Sequence, residues 1–385
     1  MTPQDGARAV YRLGVLPSGT AGGDARERAL AVARESTLEV PAGVASPAIE
    51  ADLLGRLVEL RPEDDGSVHA VIDYPGGIFD GSLPQLLNVL HGNISLLPGV
   101  RLVDVELSEG LCRAFPGPRF GISGIRERAA SDAVGRPMVA AALKPVGLET
   151  PELASLAAGF ARAGIDVIKD DHGVTDQAPS RFDDRVQRVA EAVLDTNAAT
   201  GGSTAYYVNV TGPLESLTQR VSRAEEAGCG GVLIAPGLMG LEAMRMLAAG
   251  PTALPIMAHP SRGDVGPDRD SGISPELWYG LLYRLVGADS VVYVNAGGRF
   301  AWSLDTCNAL NRRLREPLGS LRPALPVPAG GVQADDAPEW FRRYGSDTLV
   351  LIGGSLLAQP DPEAAARALV DQARRVAVDG ESSLA

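Results

Sequence analysis

The sequence predicts an α/β protein: a C-terminal (β/α)8 TIM barrel preceded by a smaller α+β domain of ferredoxin-like kind. Three observations predict it. From Met138 onward, eight short apolar segments recur with helix-patterned stretches between them, in about 220 residues, the size of one barrel. Several of these segments end in charged or polar residues, which is where a barrel carries its chemistry. The first 130 residues lack the barrel rhythm and mix strand and helix patterns, as a compact α+β domain does. The expected domains are therefore residues 1–130 and 131–385.

In the first domain, Leu38-Glu39-Val40 reads as the end of a strand. Val68 to Tyr74 alternates with period two and stops at Pro75, so it reads as a second strand. Leu83 to Val89 has helical spacing, and Arg101 to Leu107 is a further strand. Pro116-Gly117-Pro118 and the polar residues up to Gly135 read as the connection. The barrel strands are expected at 138–143, 165–169, 205–210, 231–235, 254–258, 289–294, 326–329 and 348–352. Glu152 to Arg162, Ser216 to Ala227 and Leu241 to Ala249 read as helices between them, and Pro362 to Val376 as the closing helix. A doubly wound open sheet is the alternative, weakened because no GxGxxG opens a helix after the first strand.

Composition excludes several classes. The chain is 45% hydrophobic and 22% charged, with a formal net charge of -13, which disfavours nucleic-acid binding. Cys112, Cys229 and Cys307 are isolated, with no CxxC, which argues against disulfides or a zinc site. No apolar run has membrane-spanning length, and the N-terminus lacks a basic, signal-like region. A cytoplasmic location is expected.

Polar residues gather where strands end: Lys144 after strand one, Lys169-Asp170-Asp171-His172 after strand two, Asn209 and Thr211 on strand three, His259 after strand five. Any one of them fits a satisfied loop residue; aligned at one rim, the set predicts a metal site beside a proton-transfer site. Strands seven and eight end in Gly330-Gly331 and Gly353-Gly354. Glycines there let backbone N–H groups approach a phosphate, though tight turns needing positive φ would use them too. Arg119, Arg262 and Arg299 are candidate anion binders, the last in the flexible run Gly297-Gly298-Arg299-Phe300. His69 and His91 have no partner assignable from the sequence.

Together these residues resemble the RuBisCO large-chain superfamily, and within it the RuBisCO-like proteins that do not fix CO2. Lys144-Pro145-Val146-Gly147-Leu148 resembles the family's Lys-Pro-x-x-Gly-Leu, one residue shorter. Ile168-Lys169-Asp170-Asp171 resembles its Lys-Asp-Asp-Glu segment. Tyr207 to Gly212, Leu254 to His259, Val327 to Gly331 and Gly353-Gly354 resemble its strands three and five and its phosphate loops. Glu35-Ser36-Thr37 and Gly92-Asn93 match segments that reach the neighbouring subunit's active site. The resemblance implies catalytic roles for Lys144, Lys169, His259 and Asn93. It implies a divalent metal, Mg2+ in the family, on carbamylated Lys169, Asp171 and, in place of a glutamate, His172. Gly330, Gly331, Gly353, Gly354, Arg299, Arg262 and Thr37 would bind a phosphorylated substrate, and the chain would work as a homodimer.

Departures from the family pattern narrow the expectation. His172 softens the site toward Mn2+, Fe2+ or Zn2+. Val146 stands where the carboxylase has a lysine. Pro260 replaces an arginine, and Asn295 stands about where a histidine serves the second phosphate of a bisphosphate. The expected activity is therefore enolisation of a phosphorylated ketose or keto sugar acid, of isomerase, enolase or decarboxylase type, without CO2 fixation. The alternatives are a Schiff-base aldolase on Lys144 or Lys169 and a non-catalytic descendant that binds a sugar phosphate.

Overall fold

A computed structural model describes residues 5–16, 24–129, 135–262, 270–298, 300 and 302–382. The chain divides into two compact units. One comprises Met1–Phe115, Asp264–Leu282 and Pro317–Leu321; the other comprises Pro116–Gly263, Tyr283–Glu316 and Arg322–Ala385.

The first unit carries strands β1 (Ala7–Leu13), β2 (Arg56–Pro62), β3 (Val68–Tyr74) and β4 (Val100–Leu107). They pair antiparallel in the order β4-β1-β3-β2, and the helices Ala25–Glu35 and Leu83–His91 fall between β1 and β2 and between β3 and β4, a ferredoxin-like arrangement. A two-residue strand, Gly272–Ile273, extends the β4 edge in parallel. The sequence reading missed β1, where Arg8, Val10 and Arg12 alternate with buried Ala7, Ala9, Tyr11 and Leu13. It also missed β2, a sheet edge with almost no buried position. Leu38-Glu39-Val40 is not a strand. It is the turn that ends the helix Ala25–Glu35, with the Leu38 and Glu39 amides both donating to Arg34 O.

The second unit is a closed barrel of eight parallel strands. Strands one to eight are Met138–Leu143, Val167–Asp170, Ala205–Asn209, Gly231–Ile234, Ile256–Ala258, Ser290–Val294, Leu325–Ala329 and Leu349–Ile352. Each pairs with the next, and strand eight closes on strand one. Side chains alternate across a strand. Inside the barrel this selects Met138, Ala140 and Ala142 from strand one, Val167 from strand two, Tyr207 from strand three, Met257 from strand five, and their counterparts around the ring.

The residues read as a bare connection contain a helix, Gly121–Ala129, whose Ile122, Ile125 and Ala129 pack into that interior cluster. Asp289 holds its start, accepting from the Phe120 and Gly121 amides at 2.6 and 2.9 Å. The missing signal was its N-terminus, which uses a carboxylate 168 residues away rather than a local capping side chain.

Candidate active site

The alternation that fills the barrel also selects what faces its mouth. Extending each interior register by two residues gives Lys144 on strand one, Lys169 and then Asp171 on strand two, Asn209 on strand three, His259 on strand five and Gly353 on strand eight. Lys144 Nζ lies 3.0 Å from Asp171 Oδ1, with a third of the lysine side chain exposed. His172 Nδ1 is 3.5 Å from the same oxygen, and its ring stacks on His259 with centroids 4.1 Å apart and planes 14° from parallel. A Cβ placed on Gly353 would lie 3.6 Å from Lys144 Nζ, so the strand-eight glycine loop abuts the lysine. Five predicted residues, Lys144, Lys169, Asp171, His172 and His259, thus form one cluster.

Their protonation follows from burial and mutual charge. Lys169 is fully buried and donates to Asp170 O at 2.9 Å; burial lowers its pKa to about 8 against the opposing pull of Asp171. Burial works to raise the Asp171 carboxyl, but His172, Lys169 and Lys144 hold it well below the usual carboxylate range. Burial, then the neighbouring Lys169 and His172, push His259 well below the ordinary imidazole value, so its ring is neutral. Its Nδ1 accepts from the Ser261 amide at 3.2 Å and lies 2.8 Å from Ser261 Oγ. The ring proton therefore sits on Nε2, which makes His259 a neutral donor. Ser261 was missed by the sequence reading, although its spacing two residues past His259 suits such a turn.

Other expectations change. Asp170 does not face the mouth. One residue from Lys169, it has the opposite parity and lies fully buried between strand two and the helix Phe182–Thr200. There it pairs with Arg185 at 3.0 Å and accepts from Tyr206 Oη at 2.8 Å. Asn295 also faces outward: it is buried, and its Oδ1 accepts from Tyr344 Oη at 2.6 Å, so the amide is held by the helix layer. Arg119 is no anion binder, because its guanidinium donates to the carbonyls of Ala248, Gly250 and Thr252 at the end of the helix Leu241–Ala249. Asn209 and Thr211 hold backbone, Thr211 Oγ1 accepting from the Ala235 amide at 3.0 Å. Arg262 adopts a left-handed φ of 61°, its backbone pressed against Gly237 in the loop after strand four. Arg299 lies outside the described residues.

The glycine loop after strand seven is built as a close contact. Gly330 and Gly331 have φ of 74° and 90°. A Cβ on Gly331 would fall 2.6 Å from both Cα and N of Gly298, in the loop after strand six. Gly331→Ala is therefore expected to cost about 2 kcal/mol or more through φ strain and overlap, seen as a lower thermal midpoint. A midpoint equal to the wild type would contradict this packing.

In the first unit, Asn93 Nδ2 donates to Glu35 Oε1 at 3.1 Å, and Thr37 Oγ1 donates to Ala33 O at 2.8 Å. The two segments thus meet in that unit, with Asn93 exposed and Thr37 half-buried. His69 sits 3.2 Å from Glu63 in the same unit, and His91 is lowered by burial.

A divalent metal does not fit the bare amino acids. Among the described residues, no group of three or more His, Cys, Asp or Glu side chains is placed to hold one. Asp171 and His172 are adjacent donors, while unmodified Lys169 contributes a cation. A carbamate on Lys169 would turn that cation into an anionic oxygen donor and complete a three-residue set.

The catalytic domain of the ribulose bisphosphate carboxylase large chain matches residues 121–385. A curated relative from Rhodospirillum rubrum, 5-methylthioribulose-1-phosphate isomerase, is 37% identical over 93% of both chains. The 2,3-diketo-5-methylthiopentyl-1-phosphate enolase of Geobacillus kaustophilus is 35% identical over 75% of this chain and 70% of its own. The crystal structure of a Rubisco-like protein from Rhodopseudomonas palustris superposes with a TM-score of 0.83 at 35% identity, covering 97% of this chain and 98% of that one.

Proposed function

Because this chain belongs to the RuBisCO large-chain family, among its non-carboxylating RuBisCO-like members, we propose that it moves a proton on a phosphorylated ketose or diketose. The reaction is of isomerase or enolase type, and 5-methylthioribulose 1-phosphate is the first substrate to test. The observation that carries this reading is Lys144: a partly exposed amino group at the barrel mouth, 3.0 Å from a carboxylate and flanked by a glycine loop suited to phosphate. In its neutral amine form Lys144 takes the proton from the carbon beside the carbonyl, and the ammonium so formed returns it. His259 Nε2–H donates to a substrate oxygen. Gly330, Gly331, Gly353 and Gly354 hold the phosphate through backbone N–H groups, with Arg262 and Arg299 as further anion contacts. Thr37 and Asn93 complete the site from a second copy in a homodimer.

The residues that would hold a metal are carbamylated Lys169, Asp171 and His172. Such an ion, Mg2+ or a softer divalent metal, supplies Lewis-acid stabilisation of negative charge developing on a substrate oxygen. Lys169→Ala is expected to abolish metal-dependent activity and to remove the 13C carbamate resonance that the wild type should give with labelled bicarbonate. Wild-type turnover in that variant would overturn the carbamate.

The Schiff-base alternative is disfavoured at Lys169, whose side chain is almost wholly inaccessible. Borohydride with substrate should leave the protein unlabelled; a trapped adduct on Lys144 would replace the proton-transfer reading with an aldolase. The functional reading itself is tested by following 5-methylthioribulose 1-phosphate by 31P NMR with enzyme, metal and CO2. Conversion supports it, and an unchanged spectrum across a panel of ketose 1-phosphates would refute it.

One phosphate is expected rather than two. Pro260 offers no cation and Asn295 is turned away, so a second phosphate would lie uncompensated, a penalty of several kcal/mol for a buried charge. A ketose monophosphate should bind at least tenfold tighter than its bisphosphate, about 1.4 kcal/mol. Tighter bisphosphate binding that disappears in Arg262→Ala would show that Arg262 replaces the missing arginine. No helix among the described residues is long and apolar enough to cross a membrane, and we place the enzyme in the cytoplasm.

A further inference from the structure

We propose that Asn209 is a positioning residue, and that its side-chain amide fixes the loop after strand two so that the His172 imidazole stacks on His259. This inference rests on the reading of the barrel mouth as the active site, and it adds a residue that touches neither substrate nor metal.

Asn209 is completely buried at the end of strand three. Its Nδ2 donates to His172 O at 3.0 Å and to Val174 O at 2.9 Å, while its Oδ1 accepts from the Thr211 amide at 3.1 Å. Both amide hydrogens are engaged, so Asn209 has no donor left for a ligand. The two carbonyls it holds flank Gly173, the least constrained residue of the loop. The carbonyl between them, Gly173 O, accepts from Gln177 Nε2 at 2.7 Å. Three successive carbonyls, those of His172, Gly173 and Val174, are thus held by two side-chain amides around one glycine.

The rest of the loop is anchored separately. Asp171 N donates to Leu143 O, and Arg185 donates to Thr175 O and Ser180 O. The backbone of Asn209 belongs to the same frame, its N–H donating to Asp170 Oδ2 at 3.0 Å. His172 itself is exposed over 44% of its side chain. An exposed imidazole keeps one orientation only if its Cα–Cβ direction is set from below, and the peptide that sets it is the one Asn209 grips. With Asn209 unable to donate, the His172 and Val174 carbonyls lose their holds. The bonds from Val174 N to Asp171 O at 2.9 Å, from Gly173 N to Asp171 Oδ2 at 3.3 Å and from Gln177 to Gly173 O keep the turn but not the tilt of the His172 peptide, and the ring leaves the stack.

The test uses Asn209→Asp, which keeps size and removes both donors. The chain has four histidines, His69, His91, His172 and His259, so selective histidine labelling resolves each ring by NMR. In the wild type, His172 and His259 should show mutual ring-current shifts and an inter-ring NOE. In Asn209→Asp both should vanish, with His69 and His91 unmoved. The kcat for proton exchange should fall roughly 10- to 100-fold, with KM changed far less. An inter-ring NOE retained in Asn209→Asp overturns the proposal whatever the activity. Loss of the NOE upholds it even if the wild type proves inactive on every ketose phosphate, a result that would refute the functional reading alone. If Asn209→Asp does not fold, Asn209→Ser, which retains one shorter donor, is read by the same two signals and the same criteria.

Discussion

Replacing Lys144 with methionine is expected to lower kcat/KM for proton transfer by about 10³-fold, within the usual range for loss of a general acid–base group. Methionine preserves length and apolar packing but holds no proton. The side chain is partly exposed and in contact with Asp171, so its loss removes little packing and the variant should melt close to the wild type. Phosphate binding should survive within a few-fold, because the glycine loops after strands seven and eight are untouched. Stopped-flow or NMR kinetics with a binding titration separate the two effects. A Lys144→Met enzyme retaining a tenth or more of wild-type turnover would mean that another group carries the proton.

The second large effect is on stability and lies away from the mouth. Arg136 and Asp166, just ahead of strands one and two, form a fully buried pair, with guanidinium nitrogens 2.9 and 2.7 Å from the two carboxylate oxygens. Asp166 also accepts from the Val139 amide at 2.7 Å. Asp166→Ala leaves a buried guanidinium without its counter-charge, and the expected destabilisation is about 3–5 kcal/mol. Replacing both partners by apolar residues should recover much of that loss, since the pair's own desolvation cost then disappears. Urea denaturation of the single and double variants measures both. A single variant within 1 kcal/mol of the wild type would show that the pair is not effectively buried.

Much of this was legible in the sequence. The eight barrel strands are short, mostly apolar and separated by helix-patterned stretches, so their positions could be read to within two residues. The residues ending strands one, two and five turned out to share one mouth. What the sequence hid is parity. Strand two is buried on both faces, so its pattern gives no alternation from which to tell that Lys169 faces in and Asp170 faces out. Counting two residues on from the interior Val167 would have told them apart, and the arginine of the next helix, Arg185, is the partner that an outward carboxylate requires. Asn295 escaped for the same reason. In the first unit, β2 is an edge strand rich in charge, and β1 is built on alanine and arginine. Neither carries a strong strand signal, although their pairing with β3 defines the sheet.

Solvent exchange tests the proton-transfer reading most directly. 5-Methylthioribulose 1-phosphate incubated in D2O with the enzyme, a divalent metal and CO2 should take up deuterium at a carbon next to its carbonyl, faster than net product appears. Ribulose 1,5-bisphosphate under the same conditions should fix no labelled CO2. Deuterium uptake that is lost in Lys144→Met is the expected result. No uptake from any ketose 1-phosphate that demonstrably binds, or fixation of CO2 on the bisphosphate, would contradict it.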